Sequence, residues 1–128
     1  MNAMRIDHLA ICTRDLERMK VFYEKYFGAA AGPKYHNPEK KFESYFLTFD
    51  GGARLELMTQ PGIPVTGSQD LGLAHFAMAV GSKQEVNRLT EQLRSNGFII
   101  SGEPRITGDG YYESVVLDPD GNRVEITI

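Results

Sequence analysis

The chain has 128 residues and a mass of 14.3 kDa, with 41% hydrophobic and 24% charged residues, which is typical of one globular domain. A net charge of −3 argues against a nucleic-acid-binding protein, and no apolar run approaches the ~18 residues of a membrane span. The single cysteine, Cys12, excludes an intrachain disulfide and a cysteine-rich zinc site. In chain order, we expect residues 1–3 to be left over from expression, with Met4 the native start. No secretory signal segment is recognised, so we expect a cytoplasmic location.

The first half of the sequence predicts a strand, a helix and a hairpin. Alternation over 5–12 indicates a half-buried strand with its apolar residues on one face and His8 on the other. Apolar residues then recur at helical spacing over 16–27. A hairpin is predicted within 45–58, and its closing strand carries Glu56.

The second half repeats this order. A strand predicted over 73–80 carries His75 on the face opposite its apolar residues. A capping box at 82–85 begins the second helix. A final hairpin is predicted over 113–128, and its closing strand carries Glu125.

The remaining segments have weaker patterns. One further strand is predicted after each helix, around 29–35 and around 98–102. Loops are predicted at 32–44 and 103–110, and the Pro- and Gly-rich stretch 59–72 is predicted to link the two halves.

The spacing of these elements indicates an internal repeat. The two histidines are 67 residues apart and the two glutamates are 69 residues apart. Two copies are too few for a solenoid. We therefore expect a single domain over 4–128, made of two repeats at about 4–60 and 72–128, with two sheets that face one another.

Four residues stand out because the repeat places them equivalently: His8, Glu56, His75 and Glu125. Each is flanked by apolar residues that point the other way, so these four side chains share the face away from the helices. Two imidazoles and two carboxylates suit Zn²⁺, Ni²⁺, Mn²⁺, Co²⁺ or Fe²⁺ and leave open positions on an octahedral ion. Taken singly, each residue is more often structural or solvent-exposed; their repetition favours a metal site.

Three segments carry a resemblance to a known family: 6–11, 15–24 and 118–125. They resemble the vicinal oxygen chelate superfamily, which comprises glyoxalases, bleomycin-resistance proteins and dioxygenases. The resemblance covers almost the whole chain. It implies an α+β fold in which two βαβββ modules pair into an open, cup-shaped barrel around a metal.

Within this superfamily the ligand set resembles that of glyoxalase I. The resemblance implies a metal-dependent lyase of the lactoylglutathione lyase type, acting on a small α-oxoaldehyde thiol adduct by enediolate stabilisation. It implies a divalent metal, with Zn or Ni ahead of Mn, Co and Fe, held by His8, Glu56, His75 and Glu125. We predict that Glu125 is the catalytic base and Glu56 its counterpart. A homodimer is also implied, with the metal site either within one chain or shared between two.

Two residues depart from the glyoxalase I pattern. Cys12 and Gln60 stand where the family usually has an Arg and an Asn that hold glutathione, which leaves the thiol open. We expect Cys12 to be buried, Arg14 to be a charged residue at the start of a helix, and Lys40-Lys41 to lie in a solvated loop.

Other interpretations remain open at this point. The chain is also similar to epimerases and ring-cleaving dioxygenases of the superfamily, and a non-catalytic module that binds a small molecule is a third possibility. The four ligands favour an enzyme over a binding module. Arg54 and Arg123, two residues before the glutamates, are expected to form surface ion pairs.

Overall fold

The structure is a computed structural model that describes residues 3–65 and 71–128. The predictions that residues 1–2 belong to an expression remnant and that 66–70 belong to a linker lie outside the described residues. None of the helices in the described part of the chain is long and apolar enough to cross a membrane.

The chain divides into two compact units, Met1–Val65 and Thr66–Ile128. Each unit holds one helix and one sheet that does not close on itself. The predicted α+β class is therefore confirmed, and each unit follows the predicted order of a strand, a helix and further strands.

The first unit has five strands around one helix. Its elements are β1 (His8–Cys12), α1 (Leu16–Phe27), β2 (Ala30–Ala31), β3 (Tyr35–Asn37), β4 (Phe42–Thr48) and β5 (Arg54–Thr59). The strand order is β1-β5-β4-β2, and β3 also pairs with β4. β1 and β5 run parallel, whereas β4 is antiparallel to β5.

The second unit has four strands in a matching order. Its elements are β6 (Phe76–Ala79), α2 (Lys83–Ser95), β7 (Ile100–Ile106), β8 (Tyr112–Leu117) and β9 (Arg123–Thr127). The strand order is β6-β9-β8-β7, with β6 and β9 parallel and β8 antiparallel to β9. The two sheets therefore share one topology, as the sequence repeat predicts.

Both helices begin and end where local side chains dictate. Asp15 and Ser82 each accept a hydrogen bond from a backbone N–H three residues later, which satisfies a donor of the first turn. The carboxylate of Glu85 accepts from Arg88, so only the Ser82 half of the predicted capping box is seen. α1 ends at Gly28, whose φ of 67° suits glycine.

Two predicted loops are wrong in part. Strand β3 and the start of β4 lie within 32–44, and most of β7 extends into 103–110. β3 and β4 form a hairpin whose turn is held by the Asn37 side chain, which accepts two backbone N–H groups. β7 is interrupted by register shifts on both sides of Gly102, where a Cβ atom would lie 3.1 Å from the Val115 side chain.

One face of each sheet packs on the helix of its own unit. Leu55 and Leu57 on β5, and Val124 and Ile126 on β9, are buried. The glutamates between these pairs therefore project from the opposite face, as the alternation predicts. The helices contribute buried side chains to the same two cores: Leu16, Met19, Phe22, Tyr23, Val86, Leu89, Thr90 and Leu93.

Candidate metal centre

The first unit brings His8 and Glu56 together. β1 and β5 pair in parallel, and Ala10 lies opposite Glu56, so His8 is two residues away along β1 on the same face. The His8 Nε2 atom lies 3.8 Å from Glu56 Oε1. The Glu56 side chain is 16% exposed and the His8 side chain 39% exposed, so the carboxylate is the more sheltered partner.

A second carboxylate fixes the other side of the His8 ring. Asp7 Oδ2 lies 2.9 Å from His8 Nδ1, and Arg54 donates to the same Asp7 oxygen at 2.7 Å. The bond to His8 and then the Arg54 guanidinium lower the pKa of Asp7 to about 2. An ionised carboxylate only accepts hydrogen bonds, so Nδ1 carries a proton. In the neutral ring, the lone pair is then on Nε2, beside Glu56.

The aromatic ring of Phe46 contacts both Arg54 and His8. The Arg54 guanidinium lies 4.5 Å from the ring centroid of Phe46, and the His8 ring packs edge-on to Phe46 at 5.1 Å. The surface ion pair predicted for Arg54 is confirmed, with Asp7 as its partner. The ion pair predicted for Arg123 is wrong, because Arg123 forms none within the described residues.

The second unit brings His75 and Glu125 together in the equivalent way. Ala77 lies opposite Glu125 in the parallel β6–β9 pair, and His75 precedes it by two residues. The His75 Nε2 atom lies 3.3 Å from Glu125 Oε1, and the two side chains are 41% and 18% exposed. The residue before His75 is Ala74, so the carboxylate of Asp7 has no counterpart here.

Glu125 has a carboxylate neighbour that Glu56 lacks. Val115 lies opposite Glu125, and Glu113 is two residues away on the same face of β8. Burial raises the pKa of Glu113, and the charge of Glu125 and a side-chain hydrogen bond to it raise it further. In the first unit, the equivalent position on β4 is Ser44.

The structure thus joins each predicted histidine to the predicted glutamate of its own unit. Within residues 3–65 and 71–128, no group of three or more His, Cys, Asp or Glu side chains is placed to hold a metal ion. A site made from all four residues therefore stays a prediction.

The separation within each pair can be compared with that of two ligands of one metal ion. Two donors each ~2.1 Å from one ion lie roughly 3.0–3.4 Å apart at angles of 90–109°. The 3.3 Å between His75 and Glu125 lies within that range, the 3.8 Å between His8 and Glu56 lies beyond it, and both exceed the 2.7–3.2 Å of a good N–H···O bond. Imidazole nitrogen and carboxylate oxygen are both ligands of first-row divalent metals.

Sequence reasoning overlooked two carboxylates and misjudged one cysteine. The contact of Asp7 with His8 could have been predicted, because Asp7 directly precedes His8 and a ligand histidine needs an acceptor for its second ring nitrogen. Glu113 could have been found from strand alternation, because it lies two residues from the position opposite Glu125. Cys12, predicted to be buried, is exposed, because it shares the face of His8 and not that of the core.

The sequence matches a known protein family over almost its whole length. The model of the Glyoxalase/Bleomycin resistance protein/Dioxygenase superfamily matches residues 5–126. Because this match spans nearly the whole chain, the protein belongs to that superfamily.

Particular relatives point to one branch of it. The chain is 33% identical to a lactoylglutathione lyase of Arabidopsis thaliana over 95% of its own length, but spans only 43% of that relative. It is 30% identical to the lactoylglutathione lyase of Salmonella typhimurium, covering 96% of this chain and 91% of the relative.

Solved structures agree with the fold. A glyoxalase family protein from Enterococcus faecalis matches with a TM-score of 0.80 at 28% identity, over 97% of both chains. The trypanothione-dependent glyoxalase I of Leishmania major matches with a TM-score of 0.79 at 27% identity, over 98% of this chain and 86% of that one.

Proposed function

We propose that the protein is a metal-dependent lyase of the glyoxalase type, which isomerises the thiol adduct of a small α-oxoaldehyde. The observation that carries this proposal is the repeated His–Glu pair, with Nε2–Oε1 separations of 3.8 and 3.3 Å at equivalent positions of the two sheets. The lyases among its relatives support the same reaction class.

In this proposal His8, Glu56, His75 and Glu125 together hold one divalent metal ion, with Zn or Ni expected ahead of Mn, Co and Fe. When bound, the metal would polarise the substrate carbonyl and offset negative charge that develops on its oxygen. The homodimer, the cytoplasmic location and the sharing of ligands within or between chains remain predictions.

In this proposal, residues of the protein orient the metal ligands and transfer the proton. Asp7 and Arg54 hold the His8 ring in one orientation, so that Nε2 faces Glu56. Glu125 moves the proton between the two adjacent carbons of the substrate, with Glu56 as its counterpart. We favour Glu125 because it has a second carboxyl group, Glu113, as a hydrogen-bonding neighbour, which Glu56 lacks.

The names of the relatives differ in the thiol that carries the substrate. The Leishmania major relative is a trypanothione-dependent glyoxalase I, and others are lactoylglutathione lyases. This chain spans less than half the length of its plant relatives, so their whole activity is not carried over. We propose that the carrier is a small organic thiol, and a turnover assay with different thiols identifies it.

The experiment that tests the proposal is a turnover assay with methylglyoxal and a panel of thiols. Protein purified without chelators is reloaded with Zn, Ni, Co, Mn or Fe, and formation of the thioester product is measured. We expect at least one combination of metal and thiol to give turnover that Glu125→Gln abolishes. Oxygen uptake with a catechol and Fe²⁺, without any thioester formation, would instead indicate a dioxygenase and contradict the proposal.

A further inference from the structure

Two arginines lie at equivalent places beside the candidate metal ligands. Arg54 lies opposite His8 in the parallel β1–β5 pair. The parallel register of β6 and β9, continued by one residue from its first pair, sets Arg123 opposite His75. Each arginine precedes the glutamate of its unit by two residues on the same strand, so it shares the face on which that glutamate projects.

The carboxylate that engages the first arginine has no counterpart beside the second. The Nη2 atom of Arg54 donates to Asp7 Oδ2 at 2.7 Å, and Asp7 directly precedes the histidine of its unit. In the second unit the residue before the histidine is Ala74, whose side chain accepts no hydrogen bond. Within the part of the chain that the structure describes, the Arg123 side chain forms neither an ion pair nor a hydrogen bond.

The side chains that β8 places beside Arg123 are aliphatic. Leu117 lies opposite Arg123 in the β8–β9 pair. Val115 occupies the place that Phe46 has in the first unit, where the Arg54 guanidinium lies 4.5 Å from the ring centroid of Phe46. Since Arg123 is exposed and its neighbours accept no hydrogen bond, its five N–H donors are available to a ligand.

The charge of Arg123 also has no partner among the other charged groups of this face. A guanidinium stays ionised in proteins, so the charge is permanent. Glu113, the further carboxyl group of the sheet, has Arg105 opposite it on β7. In the proposed function, Glu125 offsets part of the charge of the metal ion. The face therefore keeps one uncompensated cation, which favours an anion.

The position of Arg123 indicates which part of the substrate carries the anion. His75 is on the adjacent strand, about 5 Å away between backbones, and Glu125 is two residues along the same strand, about 7 Å away. An anion bound by Arg123 is thus next to the groups that the two ligands of the second unit would hold. It belongs to the fragment with the reacting carbons, and methylglyoxal offers only a methyl group there.

We propose that Arg123 binds an anionic group, a carboxylate or a phosphate, on the oxoaldehyde part of the substrate. A guanidinium binds either group through two parallel N–H bonds. The inference rests on the proposed function and names its substrate class: α-oxoaldehydes with an anionic substituent. Arg123 is exposed, so the interaction weakens as ionic strength rises.

The test compares charged and neutral aldehydes in matched pairs, with a thiol that supports turnover. The pairs are 4,5-dioxopentanoate with its methyl ester, and hydroxypyruvaldehyde phosphate with hydroxypyruvaldehyde. In the wild type, KM for one anionic aldehyde should be roughly tenfold below that of its neutral match, the effect of one charge-assisted hydrogen bond. Arg123→Gln should raise KM for that aldehyde by roughly tenfold, with kcat within about twofold and the neutral match unaffected.

Three further variants separate a specific contact from a general field of charge. Arg123→Lys keeps the charge and should retain part of the preference. Ala74→Asp places a carboxylate where Asp7 lies in the first unit; this carboxylate should engage Arg123 and remove the preference. Arg105→Gln removes another exposed cation of the same sheet and should retain the preference in full. A preference that Arg105→Gln lowers as much as Arg123→Gln would overturn the inference.

The two pairs also distinguish the anions. A preference for 4,5-dioxopentanoate over its ester that Arg123→Gln removes identifies a carboxylate, and the same result with the phosphate pair identifies a phosphate. Equal KM values within both pairs in the wild type, or a preference that Arg123→Gln leaves unchanged, would overturn the inference while leaving the proposed lyase intact.

A binding measurement keeps the two proposals distinguishable if no aldehyde is turned over. Calorimetric titration with 2-oxoglutarate, 3-phosphohydroxypyruvate and 2-oxobutanoate requires no reaction, and only the first two carry a second anionic group. Tighter binding of either one than of 2-oxobutanoate, lost in Arg123→Gln and kept in Arg105→Gln, would support the Arg123 site without the lyase. Equal binding of all three, or no binding of any, would overturn it.

Discussion

The two His–Glu pairs occupy equivalent positions, yet their surroundings differ. In the first unit, extra groups surround the histidine: Asp7 binds its Nδ1 and Arg54 holds Asp7. In the second, the extra group is beside the glutamate, where Glu113 crowds Glu125. The repeat keeps one histidine and one glutamate in each unit and varies their neighbours.

This difference suggests a division of labour. A histidine with a carboxylate on its second nitrogen is fixed in orientation, which suits a ligand that must stay in place. A glutamate that has a second carboxyl group within hydrogen-bonding reach has a partner with which it can exchange a proton. We therefore predict that both pairs hold the metal and that the second pair also transfers the proton.

The largest expected effect comes from replacing each of the two glutamates by Gln in turn. Glu125→Gln should reduce kcat by roughly 10²–10⁴-fold, the usual contribution of a positioned general base, while some metal is retained. Glu56→Gln should reduce kcat less. Steady-state kinetics with metal-reloaded protein measures both, and unchanged turnover in Glu125→Gln would end the assignment of Glu125 as the base.

The next effect tests the support of His8. Asp7→Asn removes the carboxylate that orients the ring and should weaken metal affinity by roughly tenfold to a hundredfold. Ala74→Asp places a carboxylate beside His75 and serves as the matched variant of the second unit, where affinity should not fall. Competition titration with a chelator reports both values. Equal affinity in Asp7→Asn and wild type would show that Asp7 is no more than a surface charge.

A smaller effect is expected on stability, where a hydrogen bond between helix and sheet in one unit is compared with its counterpart in the other unit. In the second unit, Thr90 donates to the Val86 carbonyl, so the buried Ser114 hydroxyl, 2.7 Å away, donates to Thr90. Thr90→Val should therefore cost about 1–3 kcal/mol of unfolding free energy by leaving Ser114 without its partner. Thr90→Ser keeps the hydroxyl and should retain more stability.

The first unit provides the comparison for this experiment. Tyr45 occupies the position of Ser114 and donates to the exposed Glu17. Tyr45→Phe should cost only about 0.5–1.5 kcal/mol, because Glu17 can exchange its lost donor for water. Urea unfolding gives both values, and a larger loss in Tyr45→Phe than in Thr90→Val would reverse the expected ranking.

The smallest effect is the pH dependence due to Glu113. Its pKa is raised above 4.5 in the folded protein, so its favourable contribution is present below its ordinary pKa and lost as the pH rises through the raised value. Glu113→Gln should therefore raise the Tm of metal-free protein by a few degrees at pH 7, with the gain vanishing at low pH.

Glu103 offers a control of opposite sign. Arg94 lowers the pKa of Glu103, so the ionised Glu103 stabilises the fold at neutral pH and this contribution is lost as the pH falls. Glu103→Gln should therefore have a lower Tm than the wild type at neutral pH and the same Tm at low pH. Differential scanning calorimetry across this pH range checks both variants. A Glu113→Gln protein that is less stable than wild type at pH 7 would contradict the crowding of Glu113 and Glu125.

The sequence predicted the faces of the strands better than their ends. Alternation placed His8 and Glu56 away from Leu55 and Leu57 because a period of two leaves no choice once one face is buried. The second half of β7 looked like a loop because Pro104 weakens a strand pattern, and β3 is only three residues long. Pairing with β4 and β8 overrides that local preference, and such non-local partners are invisible to a local window.

The pairing of each histidine with a glutamate was predictable from the sequence, and the environment of each pair was less so. The repeat singled out the two histidines and two glutamates, but nothing in the spacing ranks one copy above the other. Asp7 is held by Arg54 and Glu113 acts on Glu125, and in both cases the partner lies on another strand. These contacts depend on the strand register, which the local sequence does not give. Lys41 was predicted to lie in a solvated loop, and it lies exposed in the turn before β4.

The most direct test of the central claim, that four residues of the two repeats hold one metal, is elemental analysis of metal per chain. It compares wild-type protein purified without chelators with His8→Ala, His75→Ala and the control His36→Ala, which alters an exposed histidine on β3. We predict about one divalent ion per chain in wild type and His36→Ala, and loss of that ion in both other variants. Metal-free wild-type protein that takes up no ion on titration, or metal content unaffected by His8→Ala and His75→Ala, would contradict the account.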